Sequence, residues 1–147
     1  MKRAGILFFV LALSIGVFGC AKKPDIQIDY EAAEEAFTRE LSENQAFYYS
    51  HTNFERYDIT GDGYDDLYTV ATGGSGIIRD DIFVYDPVNR QVYIVTSSDE
   101  DGIYSYRIEK AGKSGLVVAR SSLLLSSDDE VVGKLEFVDD SIVFVAD

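Results

Sequence analysis

The chain has 147 residues, and its 26 acidic against 13 basic side chains give a formal charge of −13. That balance argues against nucleic acid as a partner, because a phosphate backbone is met by a basic face. One cysteine excludes an internal disulfide, and one histidine beside it leaves no zinc site of the usual ligand types.

Lys2 and Arg3 precede an apolar run from Ala4 to Phe18, which ends at Val17-Phe18-Gly19-Cys20. A short basic region and an apolar stretch of this length predict a secretory signal over residues 1–19. The run is shorter than the roughly 20 residues that span a bilayer. Its ending resembles the lipobox of bacterial lipoproteins, although Phe18 stands where a small residue is usual. The resemblance implies that Cys20 is lipidated and becomes the new amino terminus, with residues 20–28 as a tether and 29–147 as a single domain. The alternative is an ordinary signal followed by a chance cysteine. Acyl chains on Cys20 would hold the domain at a membrane without spanning it. By the sorting rule of the lipoproteins it resembles, Ala21 rather than Asp after the cysteine implies the periplasmic face of an outer membrane, or the outer face of the plasma membrane in a single-membrane bacterium. Loss of Lys2 and Arg3 with the signal takes the formal charge from −13 to −15 and leaves 128 residues, enough for one core.

Asp29 is placed to cap a helix over Tyr30 to Ser42. Tyr30, Ala33, Phe37 and Leu41 recur at helical spacing as one apolar stripe, with Glu31, Glu34, Glu35 and Arg39 largely on the other side. From Phe47 the pattern turns to strands. Aromatic residues from Phe47 to Tyr57 lead into an acidic loop, and Leu67 to Ala71 leads out of it. Gly73-Gly74-Ser75-Gly76 forms a connection, and Ile82–Tyr85 and Gln91–Val95 form a hairpin about Asp86 to Arg90. Tyr104–Ile108 with Leu116–Ala119, and Val131–Val138 with Ile142–Val145, make two further hairpins, the last turning at Asp139-Asp140. The acidic clusters at Asp99 to Asp101, Asp128 to Glu130 and Asp139-Asp140 are expected at solvated turns. The fold class expected is mostly β (α+β): an antiparallel sheet, as a small barrel-like fold or a sandwich, with one N-terminal amphipathic helix.

The acidic loop runs Asp58-Ile59-Thr60-Gly61-Asp62-Gly63-Tyr64-Asp65-Asp66. Oxygen-bearing side chains occupy its first, third, fifth and ninth positions, and Gly63 occupies the sixth. Calcium takes six to eight hard oxygen ligands, and alternating residues of a short loop can supply them. The stretch to Leu67 resembles the FG-GAP/VCBS calcium loop, written D-x-[DN]-x-D-G-x-x-D-L, which sits between two β-strands. An EF-hand would instead need helical flanks and a glutamate at position twelve, where this chain has Thr69. Carried over by residue, the resemblance implies calcium ligands from the side chains of Asp58, Thr60, Asp62 and Asp66 and the carbonyl of Tyr64, with Asp65 toward solvent or a metal-bound water. Thr60 replaces the family's Asp or Asn, which implies modest affinity suited to a calcium-rich exterior. The resemblance covers about thirty residues, from Phe54 to Tyr85, and a single loop excludes a whole propeller. The alternative is an acidic turn that binds nothing.

Catalysis is not expected. His51 stands alone in a tyrosine-rich strand, and Ser75 lacks the G-x-S-x-G frame. The function expected is a lipid-anchored envelope protein with a structural calcium site, acting as a protein- or cell-wall-binding module. Asp58 to Leu67 followed by Tyr85-Asp86-Pro87 also resembles a group of small bacterial lipoproteins, some of them similar to periplasmic immunity proteins. That resemblance implies an alternative, an inhibitor whose acidic surface meets a basic peptidoglycan hydrolase. A third reading is an envelope assembly lipoprotein.

Overall fold

The computed structural model describes residues 26–44, 48–74, 76–97, 103–112, 115–124 and 130–147. The signal, Cys20 and most of the tether, with Ser75 and Asp99 to Asp101, lie outside the described residues. Among the described residues, one helix, α1 (Tyr30–Asn44), is followed by ten strands. They are β1 (Tyr48–His51), β2 (Glu55–Tyr57), β3 (Asp66–Gly73), β4 (Arg79–Asp86), β5 (Gln91–Ile94), β6 (Thr96–Ser97), β7 (Tyr104–Gly112), β8 (Gly115–Ser122), β9 (Glu130–Val138) and β10 (Ser141–Ala146). The domain is therefore mostly β, and its strands form two sheets rather than a closed barrel.

The first sheet runs β1-β3-β4-β5, with β2 pairing β3 beyond β1. The aromatic pattern before the loop left the number of strands there open. In the structure β1 and β2 meet β3 as two segments separated by Thr52 to Phe54, with the Thr52 amide holding the Val70 carbonyl at 2.9 Å between them. The break lets Phe54 leave the ladder and stack on Phe37 of α1 at 4.9 Å. Phe37 is fully buried and also stacks on Tyr85 at 5.6 Å. Ala33, Phe37 and Leu41 of the predicted stripe thus pack onto Leu67, Ala71, Phe83 and Tyr85. The alternate residues Tyr68, Ile82, Val84 and Tyr93 face the opposite way, into the core shared with the second sheet. A sheet covered on both sides needs apolar residues at successive positions, which is why Ile82-Phe83-Val84-Tyr85 is a continuous apolar run.

The second sheet is ordered β6-β10-β9-β8-β7. Its inner face supplies Tyr106, Leu116, Val118, Ile142 and Phe144. All its pairings are antiparallel except β6 with β10, a two-residue parallel contact that the sequence reading did not anticipate. β6 follows β5 almost without a turn, so the chain crosses from the edge of one sheet to the edge of the other. Gly133 permits the close approach of β9 to β10: a Cβ there would stand 2.1 Å from the Val145 carbonyl oxygen and 2.8 Å from the Phe144 ring. The last hairpin turns at Asp139-Asp140 as expected, both in the left-handed region at φ 49° and 58°.

Candidate functional site

The acidic loop joins β2 to β3, neighbouring antiparallel strands, and the Tyr57–Asp66 pair closes it. The strand flanks are those that the sequence reading required. Gly61 and Gly63 adopt φ of 74° and 85°, conformations that side-chain-bearing residues avoid, and these fold the chain back within a few residues. Ile59 is buried in the core between the sheets and pins the loop from below.

The residues read as ligands do not share one environment. Asp66 is 1% exposed; its Oδ2 accepts the Ile59 and Thr60 amides, each at 2.8 Å, and its Oδ1 lies 3.4 Å from the Thr60 hydroxyl. Burial pushes its carboxyl up to about 6; the bonds from Thr60 and Ile59 oppose that rise and the charge of Asp86 adds to it. Asp62 uses Oδ1 to accept the Tyr64 amide at 2.8 Å, while its Oδ2 and the Oδ1 of Asp58 are buried without a hydrogen-bond partner. Asp65 is exposed, and its carbonyl accepts the Tyr30 hydroxyl at 3.1 Å. The Tyr64 hydroxyl accepts the Ile26 amide at 3.2 Å. Both tyrosine contacts tie the loop to the start of α1.

Unpartnered buried carboxylate oxygens are rare, since each forgoes solvation worth several kcal/mol. Two in one loop, beside a hydroxyl and in a turn made by left-handed glycines, fit a hard cation that prefers oxygen. Asp66 departs from the simplest picture because one of its oxygens is bound to backbone amides. Among the described residues, no group of three or more His, Cys, Asp or Glu side chains is gathered closely enough to hold a metal by itself. An ion held here would need oxygen donors besides these carboxylates.

A second buried acid, Asp86 at the end of β4, was legible only as a turn residue. It is 1% exposed and accepts the Val88 amide at 2.8 Å, the Asn89 amide at 2.9 Å and the Asn89 side-chain amide at 2.7 Å. An Asp immediately before Pro87 is the signal for such a side-chain-closed turn. Elsewhere, a cleft of about 390 Å³ between the sheets contains Glu55, Asp80 and Glu130. All three are engaged: Tyr68 donates to Glu55 at 2.7 Å, Thr72 to Asp80 at 2.6 Å, and Arg107 to Glu130 at 3.0 Å. His51 is exposed and its ring stacks on Phe54 at 5.3 Å.

Compared with known proteins, the chain matches no family model, no curated protein and no solved structure.

Proposed function

We propose that the chain is a lipid-anchored envelope protein whose Asp58–Asp66 loop holds a structural calcium ion, and that its β-rich domain binds another protein or a cell-wall component. The observation that carries the calcium reading is the pair of partnerless buried oxygens, Asp58 Oδ1 and Asp62 Oδ2, in a loop between adjacent strands. Asp58, Thr60, Asp62 and Asp66 would supply side-chain oxygens and Tyr64 its carbonyl. The ion would neutralise buried charge and fix the turn; it has no chemical step to perform. The shared core of the two sheets supports a sandwich as the architecture that presents the binding surface. Cys20 would carry the anchor, and the acidic surface favours a basic partner.

The test is a thermal melt of the protein with calcium and with a chelator. Calcium should raise the midpoint of the wild type and leave Asp62→Ala unmoved. Equal midpoints for the wild type in the two conditions would remove the metal from the proposal. The anchor is tested separately, by whether radiolabelled fatty acid enters the wild type and not Cys20→Ser.

A further inference from the structure

The described residues include six arginines, and four of them are committed. Arg56 meets Glu34 at 3.3 Å and lies over the Tyr30 ring at 4.1 Å. Arg79 pairs with Asp81 at 2.7 Å, and Arg107 with Glu130 at 3.0 Å. Arg120 lies over the rings of Tyr104 and Phe144, at 4.2 and 4.8 Å. Arg39 and Arg90 have no ion pair and no ring contact among the described residues. That is unexpected for a chain with 26 carboxylates, above all for Arg39, which has Glu35 and Glu43 one helical turn to either side.

Both arginines line the same groove, of about 780 Å³, between α1 and the β4–β5 turn. They come from different elements. Arg39 projects from the helix, and Arg90 stands at the end of the turn, where the closure by Asp86 holds it at φ 56°. Tyr85 lines the groove too. Burial raises the Tyr85 phenol above its ordinary value; the charges of Arg90 and Arg39 oppose that rise, and those of Asp86 and Glu40 add to it, so both guanidiniums reach the one hydroxyl. Ala32, Ala36, Val88 and Val92 add small apolar walls. Of the carboxylates on the rim, Asp29 already accepts the Ala32 amide at 3.2 Å, and Glu40 also has an interaction of its own.

We propose that this groove recognises the free carboxylate of a short peptide, with Arg39 and Arg90 as its charged donors and the Tyr85 hydroxyl beside them. Planar guanidiniums match the two oxygens of a carboxylate, and such charge-assisted bonds are about twice as strong as neutral ones. A monoanion is favoured over a phosphate dianion, because the surrounding field of this acidic chain repels the second charge as strongly as the first. The volume exceeds that of a lone carboxylate, and the alanine and valine walls suit small side chains on the same ligand. The inference needs neither the calcium ion nor the lipid anchor.

Titration calorimetry on the full chain at low ionic strength tests it, with N-acetyl-alanyl-alanine, the same dipeptide as its C-terminal amide, and inorganic phosphate as probes. The acid should bind at least tenfold more tightly than the amide and more tightly than phosphate. Arg39→Gln and Arg90→Gln should each weaken the acid about tenfold, as expected for loss of a bond to a charged group. Both side chains are exposed, so neither variant should move the melting midpoint appreciably, and Arg56→Gln should leave the affinity within about twofold. The proposal is overturned by equal binding of acid and amide, by tighter binding of phosphate, by unchanged affinity in both groove variants, or by no binding of the acid.

Discussion

Asp66 makes the metal-free protein sensitive to pH in a direction opposite to that of carboxylates held ionised by a salt bridge. Its folded carboxyl sits at about 6 against an ordinary 3.8, so the fold binds its proton more tightly than the unfolded chain does. The contribution to stability is complete below the ordinary value and is lost as pH rises through the folded one. An interval of about two pH units is worth about 3 kcal/mol, at roughly 1.4 kcal/mol per unit. In calcium-stripped buffer, urea unfolding should therefore show stability falling by about that amount between pH 4 and pH 7. In a domain of this size the midpoint temperature should fall on the order of 10 °C. The excess of carboxylates contributes a slope of the same sign, so the comparison that matters is with Asp66→Asn, which cannot ionise. The variant should lose most of the 3 kcal/mol difference and keep only the general slope. Calcium at pH 7 should restore more stability to the wild type than to the variant, because the ion compensates the charge that burial penalises. Parallel pH profiles for the two proteins would refute the assignment of Asp66 as a buried, proton-binding closure of the loop.

Two substitutions test the layers on which the loop rests. Phe37→Ala empties a site enclosed by Phe54, Tyr85 and the first sheet, and should cost about 3 to 5 kcal/mol by urea denaturation; a loss under 1 kcal/mol would mean that α1 does not pack there. Gly133→Ala would place a methyl group against the Val145 carbonyl and should destabilise by about 1 to 3 kcal/mol, with faster amide exchange along β9 and β10 as the local readout.

Much of the fold was legible because two periodicities are written plainly in the chain. The stripe Tyr30, Ala33, Phe37 and Leu41 specified a helix with one buried side, and three of its members are buried. The hairpins centred on Asp86 to Arg90 and on Asp139-Asp140 were announced by turn residues between β-branched runs. Three features were not legible, each for a stated reason. The strand ends extend past the apolar runs, as in Arg79–Asp86, because ladder bonds continue through Arg79, Asp80 and Asp81, whose side chains find partners. The β6–β10 pairing joins two residues to a strand more than forty positions away, and no local pattern encodes such a contact. The division into two sheets depends on which face each strand buries, and in β3 and β4 both faces are buried, so alternation carries no information there.

The loop shows a subtler limit. Its aspartates were read as equivalent oxygen donors at alternating positions, yet their surroundings separate them. Asp66 stands first in β3, where the strand carries it under the loop and its oxygen meets the Ile59 and Thr60 amides. Asp62 follows a left-handed glycine and turns one oxygen to the Tyr64 amide, leaving the other buried and unpartnered. A carboxylate that closes a turn and one that awaits a cation are the same residue type at the same spacing. What tells them apart is whether a backbone N–H reaches the oxygen first, and that is settled by φ angles at Gly61 and Gly63 and by the burial of Ile59. Arg39 and Arg90 obey the same logic with the sign reversed. Either reads in sequence as one more surface charge beside ready carboxylates, and only the packing of α1 against the β4–β5 turn brings both to one groove, with no ion pair among the described residues.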